Sequence, residues 1–195
     1  METAMRYAAK KGKHMKLDQP VITEHLILRS YRNADMDFCI RLWCDAENGK
    51  YMSDPLRENI KEDYLACFEN MEDDPDGYYL IAEFRDSHNP VGTFCMFPEN
   101  GNYDIGYCVA REYWRQGIGR EMLAGALVWM KAQGAVSVTA EVADENIASR
   151  ALLHAFGFQE GRKKRFRKWY EDTCFDSHVH VLKLTKKEKT PAIAE

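Results

Sequence analysis

Two glycines stand one residue apart where a predicted strand passes into a predicted helix. Gly117 and Gly119 follow the alternating stretch at 102–110, and Arg115 and Arg120 flank them. The first turn of a helix leaves backbone N–H groups unpartnered and carries partial positive charge, which suits an anion. Glycine has no Cβ, so the backbone can approach a phosphate closely. The stretch therefore indicates a pyrophosphate cradle, although the same glycines also suit a tight turn that binds nothing.

The residue types around this turn exclude two well-known phosphate-binding motifs. A P-loop needs G-x-x-x-x-G-K-[ST], which the sequence lacks. A dinucleotide-binding fingerprint needs a third glycine where this chain has Met122. The meander of strands predicted before the turn also differs from a dinucleotide-binding fold.

The elements that must position the turn form a mixed pattern, β-α-α-β-β-β-α-β-α-β-β. Strands are predicted at 25–31, 78–86, 90–99, 102–110, 135–143, 158–170 and 174–185, and helices at 33–47, 54–73, 117–132 and 145–158. Gly134 and Gly157 are expected to end the last two helices. We expect one α+β domain with a mostly antiparallel sheet of about seven strands flanked by helices. One parallel βαβ unit lies at the glycine turn, because strand, helix and strand follow in order at 103–110, 117–132 and 136–142.

Length and composition indicate a single soluble domain. The 195 residues are 45% hydrophobic and 30% charged, and no apolar run reaches the ~20 residues of a membrane helix. Residues 1–20 are expected to be a basic, poorly ordered arm without a secretory signal, 21–185 the domain, and 186–195 a solvated tail. The six cysteines form no C-x-x-C pair, which favours reduced thiols and a cytoplasmic location.

Four motifs resemble the GNAT N-acetyltransferase superfamily. The letters Q-G-I-G-R at 116–120 resemble its coenzyme A pyrophosphate loop, usually R/Q-x-x-G-x-G/A. Trp114 occupies the first position of that pattern, and an aromatic residue there resembles the RimJ/RimL-type branch of ribosomal-protein N-terminal acetyltransferases. Three further stretches resemble the same branch in the same order: TEHLILRSYRNADMD at 23–37, YDIGY at 103–107 and NIASRALLHAFGF at 146–158.

The resemblance implies transfer of an acetyl group from acetyl-CoA to a primary amine, by direct attack within a ternary complex. Backbone groups where the strand at 102–110 splays would serve the oxyanion and the pantetheine, and N–H groups of the turn would hold the pyrophosphate. The residues so implied are Cys108, Val109 and Ala110, then Arg115, Gln116, Gly117, Ile118, Gly119 and Arg120, with Asn146 and Ser149 completing the cofactor site. No metal is expected.

Three residues are candidates for proton transfer. Asp104 stands where some superfamily members carry a catalytic glutamate, and Glu141 shares a strand face with Ser137 and Thr139. Either carboxylate can be the base or be structural, and water can serve alone if the amine has a low pKa. Many members use a tyrosine as the acid for the leaving thiolate, but that position is Leu153 here, which leaves Ser149 as a hydrogen-bonding candidate.

The resemblance also places the acceptor cleft, between Trp43 and Tyr51 on one side and Trp169 and Tyr170 on the other. The acceptor would be a protein N-terminus or a small-molecule amine, and related proteins are often homodimers. The missing tyrosine keeps open a non-catalytic module that binds acyl-CoA. A nucleic-acid-binding protein that uses the basic run at 162–168 is the less favoured alternative.

Overall fold

A computed structural model describes residues 14–184, and in that range one eight-stranded sheet organises the chain. The strands are β1 Val21–Ile22, β2 Leu26–Ser30, β3 Tyr78–Phe84, β4 Pro90–Glu99, β5 Asn102–Val109, β6 Ser137–Ala143, β7 Gln159–Arg167 and β8 Cys174–Lys183. They lie in the order β1-β2-β3-β4-β5-β6-β8-β7. Every neighbouring pair is antiparallel except β5 and β6, which are parallel.

Helices cover both faces of the sheet. They are α1 Met36–Trp43, α2 Glu62–Met71, α3 Ile118–Ala132 and α4 Ile147–Ala155. The larger core lies between the sheet and the pair α3 and α4, where Met122, Met130 and Leu153 are fully buried. A second apolar cluster lies under α1 and α2, and Phe68 is its largest fully buried member. Within the described range, no helix is both long and apolar enough to span a bilayer.

The predicted α+β architecture is confirmed, with differences at the element ends. All seven predicted strands are present, and the eighth, β1, is a two-residue strand beside β2. The helix predicted at 33–47 begins later because Asn33–Asp35 form a 3-10 turn, and the helix predicted at 54–73 is likewise preceded by a 3-10 turn at Arg57–Asn59. Gly134 and Gly157 follow α3 and α4 with φ of 84° and 85°, the left-handed conformation expected of helix-ending glycines.

The proposed terminal segments lie largely beyond the described range. Residues 1–13 of the basic arm and the whole tail at 186–195 are outside it. Of the described part of the arm, Leu17 packs against the larger core, and its N–H donates to the Ser30 hydroxyl at 2.9 Å.

The parallel pair opens into a wedge part-way along the sheet. Pairing between β5 and β6 joins Asn102 to Ser137 and ends at Asp104 and Thr139. Both strands continue beyond this point, to Val109 and Ala143. The backbone of each strand is therefore open to the gap between them, which we call the splay.

Candidate active site

The glycine turn presents an open helix N-terminus beside the splay. Gly117 adopts φ 84° and is the N-cap of α3, so the helix begins at the next residue and has no N-cap side chain over its first N–H groups. A Cβ built on Gly117 would meet no described atom within 4 Å, and Arg115, at φ 63°, and Arg120 are exposed on either side. Helix N-terminal N–H groups, open space and two cations are what a pyrophosphate requires. The residues present therefore fit the diphosphate of coenzyme A.

Only part of the predicted strand end faces the splay. The Ala110 N–H donates to the Val91 carbonyl of β4 at 2.8 Å. Backbone groups of an antiparallel strand alternate between its two sides, so the groups of Cys108 also face β4 while those of Tyr107 and Val109 face the splay. The Val109 carbonyl accepts from the Trp114 indole at 2.7 Å and from the Asn48 amide at 3.1 Å. The N–H groups of Tyr107 and Val109 are thus the donors that this strand directs toward the splay, and that of Val109 is the one at the strand end.

Tyr107 contacts Ser149, the residue predicted to donate a hydrogen bond to the leaving thiolate. Tyr107 was not among the site residues predicted from the sequence. Its hydroxyl lies 2.8 Å from the Ser149 hydroxyl in the first turn of α4. Asn146 caps that helix, because its side-chain oxygen accepts the Ser149 N–H at 3.1 Å. Burial raises the pKa of Tyr107 to about 12, so its hydroxyl keeps its proton at neutral pH. The pair Tyr107 and Ser149 brings two hydroxyl groups to the α4 side of the splay.

The two candidate carboxylates lie on the opposite face of the sheet, and both line one cavity. Asp104 accepts a hydrogen bond from the Thr139 hydroxyl at 3.0 Å. Glu141 has both oxygens engaged: one accepts from the Ser177 hydroxyl at 2.8 Å, and the other forms an ion pair with Lys164. The predicted alternation of β6 is as expected, with Val138, Ala140 and Val142 buried in the larger core.

The cavity lies beneath α1 and α2 and measures about 280 Å³. Of the predicted cleft residues, Trp43, Tyr51 and Trp169 line it, whereas Tyr170 lies outside the lining and donates to Asp63 at 2.6 Å. Aromatic side chains dominate the wall. The aromatic residues in the lining are Tyr31, Trp43, Tyr51, Tyr64, Phe68, Tyr79, Phe94, Phe97, Tyr107, Phe166 and Trp169. Because Ile105, Gly106 and Tyr107 of β5 also line it, the cavity reaches the splay.

Two loops are tied together at one end of the cavity, and we call this contact the clasp. It joins residues 49–56, after α1, to residues 168–171, in the β7–β8 turn. Lys168 is 4% exposed, and its ammonium donates to the carbonyls of Gly49 and Asp54 at 2.9 Å each. The Trp169 N–H donates to the Ser53 carbonyl at 2.8 Å. Burial lowers the pKa of Lys168, and no sequence pattern distinguishes this internal lysine from the other cations of the basic run.

Several cations of the basic run at 162–168 are engaged within the fold. Lys163 and Arg165 both pair with Asp176, at 3.3 and 2.9 Å, and Lys164 pairs with Glu141. Lys168 is buried in the clasp. These contacts argue against the alternative that the basic run binds nucleic acid. Residues 14–184 also contain no group of three or more His, Cys, Asp or Glu side chains arranged to hold a metal ion.

Comparison with known protein families and sequences identifies relatives of the whole fold. A model of the acetyltransferase (GNAT) domain matches residues 25–159. An uncharacterized N-acetyltransferase of Bacillus subtilis (strain 168), YoaA, is 25% identical over 166 residues, 82% of this chain and 94% of that protein. Another uncharacterized N-acetyltransferase, p20 of Bacillus licheniformis, is 25% identical over 178 residues, 87% of this chain and 98% of that protein.

Solved structures share the architecture. Spermidine N-acetyltransferase from Vibrio cholerae, in complex with CoA and spermine, superposes with a TM-score of 0.69 at 18% identity, over 81% of this chain and 95% of that one. Ribosomal-protein-S5-alanine acetyltransferase from Vibrio fischeri superposes with a TM-score of 0.62 at 18% identity, over 85% of this chain and 97% of that one. At these identities the structures establish a common fold.

Proposed function

The chain belongs to the GNAT acetyltransferase family, and from this premise we propose that it moves an acetyl group from acetyl-CoA to a primary amine held in the cavity. The observation that carries the proposal is the splay. It joins an open helix N-terminus on one face of the sheet to a cavity on the other, lined by the carboxylates of Asp54, Asp104 and Glu141. A cofactor bound on one face of the sheet can thus meet, at the splay, an acceptor bound on the other face.

Residues of the turn are the proposed cofactor site. The N–H groups of Ile118, Gly119 and Arg120 open α3 and would bind the diphosphate, with Arg115 adding charge. The Val109 N–H would donate to the carbonyl oxygen of the acetyl group, where negative charge develops. When bound, acetyl-CoA supplies the reactive thioester.

Tyr107 and Ser149 are the proposed acid for the leaving thiolate. The expected tyrosine position is Leu153, which is fully buried in the core and has no proton to give. The Tyr107 hydroxyl is protonated at neutral pH and hydrogen-bonded to Ser149, so one hydroxyl can give its proton to the thiolate while the other passes a proton to it. The acid would then come from β5 instead of α4.

Asp104 is the proposed base. Its carboxylate lines the cavity and is oriented by the Thr139 hydroxyl, so it can take a proton from the amine directly or through water. Glu141 is held by Lys164 and Ser177, and we propose that it orients this part of the wall.

We further propose that the enzyme belongs to the RimJ/RimL-like branch. Trp114 in the cofactor loop and the N-x-x-S element at Asn146–Ser149 support this assignment. The Trp114 indole bonds the Val109 carbonyl, so in this structure the aromatic residue has a structural role in the loop.

Ligand-dependent thermal stability tests the proposal. At 100 times its dissociation constant, acetyl-CoA should stabilise the protein by about 2.7 kcal/mol, which is about 5–11 °C for a chain of this length. ATP and NAD at equal concentration are the controls. A shift specific to acetyl-CoA, followed by thiol release with an amine panel, supports the enzyme. A specific shift with no transfer to any amine supports the acyl-CoA-binding module, and the absence of a specific shift contradicts both.

A further inference from the structure

We propose that the acceptor is a small primary amine whose carbon skeleton is one aromatic ring on a short chain. The inference rests on the proposed function and deepens it by naming the substrate class. Three properties of the cavity support it. Its size and the clasp argue against a protein N-terminus, its lining favours an aromatic ring, and its charges argue against a polyamine.

The clasp argues against a protein N-terminus. A peptide acceptor needs an open groove, because the chain behind its first residues must leave the site. Here the two walls are joined by four hydrogen bonds, three of which are those of Lys168 and Trp169. The fourth runs from the Leu56 N–H to the Glu171 carboxylate at 2.7 Å. Because the remaining space is about 280 Å³, near the lower end for ligand pockets, a small molecule fits better.

The lining favours an aromatic skeleton. Trp43 and Phe68 stack with ring centroids 5.5 Å apart, and Tyr64 meets Trp169 edge-on at 5.6 Å. The Trp43 indole N–H is occupied by the Thr93 hydroxyl at 2.9 Å, so this ring offers its apolar surface to the cavity. An additional ring can pack edge-on or offset against such a wall. The protonated amine can also approach ring faces through cation–π attraction.

The charges argue against a polyamine. A polycation needs several carboxylates spaced along its length, yet two of the three cavity carboxylates have a lysine beside them. Lys164 pairs with Glu141, and the Lys168 ammonium donates to the Asp54 main chain. Tyr64 also donates to the Asp54 carboxylate at 2.7 Å, and burial raises the pKa of Asp54. At most one of the three carboxylates is therefore left for a cation, which is too few for a polycation and suits an apolar ligand with a single amine.

Binding of three probe amines tests the inference. Full-length protein saturated with coenzyme A is titrated by calorimetry with 2-phenylethylamine, spermidine and an alanine-initiated tripeptide. We expect 2-phenylethylamine to bind at least about tenfold more tightly than either alternative, and its kcat/KM for acetylation to follow the same order. If spermidine or the tripeptide binds as well or better while acetyl-CoA still stabilises the protein, the inference is overturned and the proposed function stands. Failure of acetyl-CoA itself to stabilise the protein contradicts the proposed function.

Substitution of two matched tyrosines tests where the aromatic ring of the acceptor binds. Tyr51 lines the cavity and meets Phe175 edge-on at 5.6 Å, whereas Tyr78 meets Trp129 in the same way at 5.1 Å outside the lining. Tyr51→Leu should weaken 2-phenylethylamine binding by about three- to tenfold and leave the stabilisation by acetyl-CoA unchanged. Tyr78→Leu should leave both unchanged. Equal affinity of the two variants for 2-phenylethylamine would overturn the placement of the ring in this cavity.

Discussion

A comparison of two glycines with the same positive φ can distinguish a phosphate-binding turn from an ordinary one. Gly117 and Gly134 both have φ 84°, and at each an added Cβ would meet no described atom within 4 Å. The substitutions Gly117→Ala and Gly134→Ala therefore impose the same strain, about 1–2 kcal/mol for an alanine in the left-handed region. For a chain of this length, each should lower Tm by about 2–8 °C. Their effects on ligand binding should differ, because only Gly117 precedes the N-terminus of α3.

The size of that difference follows from the hydrogen bonds at stake. A displaced turn that loses one hydrogen bond to a charged oxygen forfeits about 1.5–3 kcal/mol, so the Kd of acetyl-CoA should rise at least about tenfold for Gly117→Ala. Acetyl-CoA at about 100 times the wild-type Kd would then add about 1.4 kcal/mol instead of about 2.7. Differential scanning fluorimetry with and without acetyl-CoA measures both quantities. The reasoning is refuted if the two variants keep the same ligand-induced shift.

The remaining predictions concern three side chains. Lys168→Met leaves the buried Gly49 carbonyl and the part-buried Asp54 carbonyl without their donor, and it should lower the free energy of unfolding by about 2–4 kcal/mol, as urea denaturation can measure. Lys163→Met removes an exposed ion pair and should cost less than about 1 kcal/mol. Equal losses for the two variants would show that the clasp contributes little. Tyr107→Phe should lower kcat about 100-fold or more and leave the Kd of acetyl-CoA unchanged, and an unchanged kcat would remove Tyr107 from the proton path. Burial raises the pKa of the Cys108 thiol, so little of it is thiolate near neutral pH, and iodoacetamide should label exposed Cys174 first. Mass spectrometry of the peptides can check this order, and early labelling of Cys108 would contradict its burial.

The periodicity of the apolar residues and the positions of the helix-ending glycines predicted most of the fold. Alternation over 102–110 and 135–143 predicted β5 and β6, and the same alternation placed Glu141 opposite the buried Val138. The helix ending before Gly134 followed from its spacing and its glycine. The ends of α1 and α2 were less predictable, because the 3-10 turns before them contain residues that also suit an α-helix.

The contacts of the site could not be predicted, because they join residues distant in sequence. Tyr107 and Ser149 are 42 positions apart, and Glu141 and Lys164 are 23 apart. The alternation of β5 could have placed Tyr107 on the α4 face with Ile105, which is a usable signal. Lys168, by contrast, closes a run of cations, and nothing in its neighbours distinguishes the one buried lysine of that run from the exposed ones.

Acetyl transfer itself tests the central claim most directly. Purified protein is incubated with acetyl-CoA and each of 2-phenylethylamine, spermidine and the tripeptide, and mass spectrometry follows the N-acetylated amine while a thiol reagent follows free coenzyme A. The account predicts equal amounts of acetylated amine and free thiol, most with 2-phenylethylamine, and a lower rate with Tyr107→Phe. Binding of acetyl-CoA without an acetylated product from any of the three amines would contradict the account.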